Sequence, residues 1–179
     1  NLVHYITGLE MQEMMADLGT VVDGRALEDD ASVLIRYKGG ARGILYCSQV
    51  SQGEENALTV RVYGSKAGLE WRQEFPTWLW VRSQDAPERI YKNGNGYAAA
   101  AAAGATRLPA GHPEGFIEAF ANIYREAGRA MRAVDAGQLP EHPDFPTVQD
   151  GARGVHFIHT AIESSSKRAW VDASYTPPA

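Results

Sequence analysis

Apolar and polar residues keep two different rhythms along this chain. A period of two is clearest at Ser32–Lys38, where Val33, Ile35 and Tyr37 share one face and Ser32, Arg36 and Lys38 mostly the other. Gly39-Gly40 closes that run as a hairpin turn, and Ala41–Val50 returns as a second strand. Further strands are predicted at Leu58–Tyr63, Gly68–Glu74, Trp78–Ser83 and Arg89–Lys92. Upstream, Leu2, Val3, Tyr5 and Ile6 fit the last turns of an amphipathic helix stopped by Gly8. Leu9 to Val22 admits helix or strand; the Gly8 break and the Asp23-Gly24 turn favour strand. Short links such as Gly64 to Gly68 permit only antiparallel neighbours, since a parallel crossover needs about ten residues or more.

After Asn93-Gly-Asn-Gly96 the rhythm becomes helical. The alanine tract Ala98–Ala103 is followed by Phe116–Val134, with Phe116, Phe120, Ile123, Ala127, Met131 and Val134 at helical spacing. Thr147 is placed to cap a second long helix, whose Val148, Ala152, Val155, Ile158 and Ile162 are expected to form its buried stripe. Trp170-Val171 reads as a last short strand, and Thr176 to Ala179 as a frayed end. Strands first and helices afterwards predict an α+β fold, an open and mainly antiparallel sheet with helices on one face.

Composition narrows the function classes. The chain has 179 residues, 17 Lys+Arg, 22 Asp+Glu and a formal charge of −5. That balance, without a dominant basic cluster, argues against nucleic acid as a partner. No run approaches the roughly 20 apolar residues of a membrane helix, so no membrane partner is expected. Cys47 has no internal partner, and with no signal stretch at the start a reducing, cytoplasmic location is expected.

Several motifs compete for chemistry. Gly94-Asn-Gly96-Tyr-Ala-Ala99 matches G-x-G-x-x-A, but Pro87–Lys92 before it is no buried parallel strand and no βαβ unit follows, so cofactor binding there is rejected. His156 and His159 lie one helical turn apart but lack further ligands, so no metal is assigned. Cys47 is expected to be a packed thiol rather than a nucleophile. Gly111-His112-Pro113-Glu114-Gly115 is more informative. Pro113 and Glu114 suit a helix start, whereas a loop-mounted imidazole between glycines suits contact with a hydroxyl-rich or anionic ligand. Gln49, in the polar run Ser48 to Asn56, and Arg107 are weaker candidates of the same kind.

Asp29-Asp-Ala-Ser-Val33, Gly43-Ile-Leu-Tyr-Cys-Ser-Gln49, Val62-Tyr-Gly-Ser-Lys-Ala-Gly-Leu-Glu-Trp71, Gly111-His-Pro-Glu-Gly-Phe116 and Phe145-Pro-Thr-Val-Gln-Asp-Gly151 occur in this order. Together they resemble the C-terminal domain of the Gfo/Idh/MocA oxidoreductases, the group of glucose–fructose oxidoreductase and inositol dehydrogenase. The resemblance runs from about Leu2 to Ala173. It implies a missing N-terminal Rossmann domain for NAD or NADP, and hydride transfer involving a sugar, polyol or related hydroxyl compound. This portion would complete the substrate pocket and assemble dimers or tetramers through its sheet. On that basis residues 1–8 end the helix after the catalytic motif, 9–173 form the substrate and oligomerisation domain, and 174–179 are a tail. The family's Glu-Lys-Pro, glycine-rich βαβ unit and Asp-x-x-x-His are not in this sequence, and His4 comes too late in its helix to stand for that histidine. The resemblance therefore implies a start just past the catalytic pair, no cofactor bound by this chain and no activity in isolation. No catalytic residue is carried over; His112, Glu114, Gln49 and Arg107 are expected on the substrate side. A stand-alone ligand-binding or dimerisation module is the alternative.

Overall fold

Gly8 ends the first helix in the left-handed conformation, which suits a residue without Cβ, and the chain turns directly into a sheet. The computed structural model describes residues 1–138 and 143–177. In order the elements are α1 (Leu2–Thr7), β1 (Met11–Gly19), β2 (Asp30–Tyr37), β3 (Arg42–Ser48), β4 (Thr59–Tyr63), β5 (Gly68–Arg72), β6 (Trp78–Ser83), β7 (Ala86–Lys92), α2 (Ala100–Ala105), α3 (Phe116–Asp135), α4 (Val148–Lys167) and β8 (Val171–Asp172). The architecture is α+β and every strand pairing is antiparallel. The predicted meander is divided between two four-stranded sheets, β3-β2-β1-β8 and β4-β5-β6-β7. They belong to two units, residues 1–53 with 146–179, and residues 54–145.

In the first unit the period of two has its expected consequence. Met14 and Ala16 of β1 and Val33, Ile35 and Tyr37 of β2 point to one face and form the core with Ala161 and Ala173. Helix α4 packs against β1. It starts at a capping box, in which Asp150 N–H donates to the Thr147 hydroxyl at 3.4 Å and the Asp150 carboxylate accepts from Thr147 N–H at 2.8 Å. The Thr147 backbone hydrogen bond, then its hydroxyl, hold the Asp150 carboxyl below its ordinary range.

The face that α4 buries is not the predicted one. Val148, Val155, Ile158 and Ile162 are exposed, while Thr160, Ala161 and Ser164 are buried. The reason lies in β1, whose pairing with β8 involves only Glu13 and Met14. Farther along that edge, Ala16 N–H donates to the Ser164 hydroxyl at 2.9 Å and Leu18 N–H to the Ser165 hydroxyl at 3.1 Å. Small polar residues let the helix approach closely enough to satisfy a strand edge, and that requirement outweighs the apolar stripe. Cys47 is also a correction: it is exposed, on the outer strand β3 and outside the core cluster. Of the predicted tail, Tyr175 stacks near His156 with ring centroids 5.6 Å apart, and residues 178–179 lie outside the described residues.

The second unit is organised differently. In β5 the buried residue is a carboxylate, Glu70, which accepts from Arg72 Nε at 2.5 Å and Arg82 Nη1 at 2.7 Å, with Arg61 Nε at 3.3 Å. Burial opposes its ionisation, but the Arg72 and Arg82 hydrogen bonds and the nearby Arg61 charge hold the Glu70 carboxyl below its ordinary value. Trp80, directly opposite Glu70 on β6, is buried beside Phe75 and Trp78. Helix α3 forms where its periodicity predicts, yet Phe116, Phe120, Ile123, Met131 and Val134 are all exposed.

Candidate functional site

The loop between α2 and α3 carries three of the four candidate residues. Glu114 organises it. One carboxylate oxygen accepts from Arg107 N–H at 2.6 Å, and the other from Asn93 Nδ2 at 3.0 Å and Leu108 N–H at 3.4 Å. A carboxylate shared among two backbone donors and an amide ties both ends of the loop to the turn after β7. Arg107 extends the frame: its Nε donates to Asn122 Oδ1 at 2.9 Å, and Asn122 Nδ2 donates to Ala105 O at 2.6 Å. Arg125 adds a bond to Gly104 O at 3.1 Å. Helix α3 is started by its own acid, because Glu118 accepts from Gly115 N–H at 2.8 Å, which is the main cause of its lowered pKa.

His112 sits at the tip, exposed, with its Nδ1 3.1 Å from Pro109 O. A carbonyl only accepts, so Nδ1 carries a proton and donates; in the neutral ring Nε2 is then the hydrogen-bond acceptor. The imidazole is thus held in one tautomer on a loop that the Glu114 contacts brace.

The rejected G-x-G-x-x-A run has a structural use here. At Gly94 (φ +70°) a Cβ would lie 2.9 Å from Ala110 N and 3.1 Å from Ala110 Cα. The glycine allows the turn after β7 to lie against the backbone of the 108–110 segment. That space is filled by protein, and α2 is only six residues long, so this run does not fit the pyrophosphate of a dinucleotide.

Gln49 belongs to the first unit, whereas Arg107, His112 and Glu114 belong to the second. Its backbone N–H donates to Asp29 O at 2.7 Å, and its side chain is exposed. Asn93 was not singled out by the sequence, although it binds Glu114 from 21 residues away. Its signal was present in the Asn93-Gly-Asn-Gly96 turn, which reads as punctuation rather than as a partner. Among the described residues no group of three or more His, Cys, Asp or Glu could hold a metal ion, and no helix is long and apolar enough to cross a membrane.

Residues 1–70 match the model of the GFO/IDH/MocA C-terminal domain. The oxidoreductase YfiI of Bacillus subtilis is 30% identical over 168 residues, covering 92% of this chain and 43% of that protein. The first 70 residues of this chain thus carry the signature of the Gfo/Idh/MocA C-terminal domain. An oxidoreductase from Sinorhizobium meliloti shares 44% identity at a TM-score of 0.87, over 94% of this chain and 48% of its own. An inositol dehydrogenase homolog from Azotobacter vinelandii, solved with NADH and myo-inositol, shares 34% identity at a TM-score of 0.92, over 96% of this chain and 46% of its own. The chain thus spans about half the length of the relatives it matches. The Azotobacter vinelandii homolog has also been solved with NAD+.

Proposed function

We propose that this Gfo/Idh/MocA domain is the substrate-side and assembly portion of an NAD-dependent oxidoreductase acting on a sugar, polyol or related hydroxyl compound. The observation that carries the reading is the braced loop of Arg107 to Gly115. There His112 keeps Nε2 as an acceptor, suited to the O–H of a hydroxyl-rich ligand. Glu114, with both oxygens already engaged, serves to hold that loop, and Arg107 keeps it in line with α3. Gln49, in the first unit, is proposed on its own chemistry: its amide both donates and accepts, a pattern that also suits hydroxyl groups. The likeness to an inositol dehydrogenase homolog solved with NADH and myo-inositol supports the substrate class. The nicotinamide would supply hydride chemistry, and no residue of this chain is assigned to it.

Assembly is proposed through the face of the first sheet turned away from the core. There Met15, Leu34 and Ile44 stand directly opposite one another on three adjacent strands, all exposed. A contiguous apolar row of this kind suits a self-complementary contact between two copies.

The decisive experiment is His112→Ala in the enzyme that carries this domain. The substrate KM should rise about tenfold or more, the loss of one well-placed hydrogen bond, while NADH affinity stays unchanged. An unchanged KM would remove the substrate-side role. Ile44→Arg should lower the mass measured by sedimentation equilibrium, and an unaltered oligomer would reject this face.

A further inference from the structure

A cavity of about 360 Å³ opens at the β2–β3 hairpin of the first unit, lined by Gln12, Arg36, Tyr37, Gly40, Ala41 and Arg42. Two features of the strands converge on it. Arg36 and Arg42 are directly opposite partners across β2 and β3, and like charges in that position repel unless an anion lies between them. The β1 register shifts between Met11 and Glu13, so Gln12 occupies a bulge, an irregularity that re-aims a side chain.

The two guanidiniums are not equivalent. Arg36 is seated: its guanidinium carbon lies 4.1 Å from the Trp170 ring centroid, and its Nη1 contacts Glu13 Oε2 at 2.9 Å. Arg42 forms no ion pair among the described residues. One carboxylate therefore faces two guanidiniums, and a fork of N–H donors is left without an acceptor beside a neutral amide. Gly39 and Gly40, both at positive φ with no atom within 4 Å of where a Cβ would stand, keep the hairpin end of the cavity free of side chains.

We propose that this cavity is a binding site for a small oxyanion, a phosphate or carboxylate group. Arg42 supplies the bidentate grip, Arg36 the second positive charge and Gln12 a neutral donor. Planar guanidinium forks match the oxygen spacing of both groups. The volume accommodates a small molecule rather than an ion alone. The site does not depend on the hydroxyl-substrate reading; Arg36 and Arg42 lie two residues along from Leu34 and Ile44 on the sheet face proposed for assembly.

The test is titration of the 179-residue chain with inorganic phosphate and, separately, acetate, at ionic strength held constant with potassium chloride. It is followed through the Gln12 and Arg42 side-chain NMR signals. Saturable shifts with either anion support the site; phosphate alone identifies the ligand group as phosphate, and acetate alone as carboxylate. Arg42→Gln should weaken binding by about tenfold or more, and Arg42→Lys, which keeps the charge but loses the fork, by a smaller factor. Amide shifts of Met14 and Val33 should stay in place in both variants, showing a folded sheet. Linear shifts no larger than those from chloride, or equal affinity in the folded Arg42→Gln protein, would overturn the proposal.

Discussion

Two antiparallel sheets of the same size solve the same problem by opposite means. The first unit buries Met14, Ala16, Val33, Ile35 and Tyr37 in one apolar cluster, with α4 supplying Ala161 and the Ser164 hydroxyl at the edge of β1. Among the described residues of the second unit, Trp80 is the single buried hydrophobic, and the buried neighbour across the ladder is Glu70 among three arginines. One sheet is held by the removal of apolar surface from water. The other relies on charge-assisted hydrogen bonds between strands, with aromatic rings over them. The first kind of stabilisation is indifferent to pH and the second is not.

Mutations can break this contrast at several points. Met14→Ala removes a fully buried side chain from the first core and should cost about 3 kcal/mol, read as a lower urea midpoint. Glu70→Gln should cost on the order of 2 kcal/mol at neutral pH, tempered because its arginine partners are about half exposed. The pH dependence has a definite sign. The folded carboxyl titrates below the ordinary glutamate value of 4.5, so its stabilisation is complete above that value. It is lost as pH falls through the folded value. Wild type and Glu70→Gln should therefore converge in thermal unfolding below pH 4.5, and a constant gap down to acid would sink this reading of the second unit.

Smaller effects sharpen the contrast. Ser164→Ala leaves the Ala16 N–H buried without its acceptor and should cost about 1–2 kcal/mol, with faster hydrogen exchange at that amide. An unchanged exchange rate would mean that the helix does not serve the strand edge. Glu114→Ala should cost about 1 kcal/mol and expose the Arg107 and Leu108 amides to exchange while leaving Met14 protected. Loss of protection at Met14 as well would join the two units into one cooperative system.

Much of the architecture was legible because its determinants are local. Alternation at Val33, Ile35 and Tyr37, the Gly39-Gly40 turn and the Thr147 cap each depend on neighbours within a few residues, and each stands where expected. The motif Gly111 to Gly115 was likewise recognisable as a polar loop before a helix. Its bracing was not, because Asn93 meets Glu114 only after the chain has passed through a turn, a short helix and a loop.

The sequence alone determined the strands, their antiparallel hairpins, the two long helices and the family to which the blocks point, since period, turn chemistry and capping act over short chain distances. Tertiary structure decided what no window of residues contains. It divided the strands between two sheets and gathered Arg61, Arg72 and Arg82 from three strands around Glu70. It also turned the small polar face of α4 inward, because an unpaired strand edge about 150 residues away required its hydroxyls. A helix's apolar stripe proposes a buried face; the hydrogen bonds owed by its neighbour choose the one that is used.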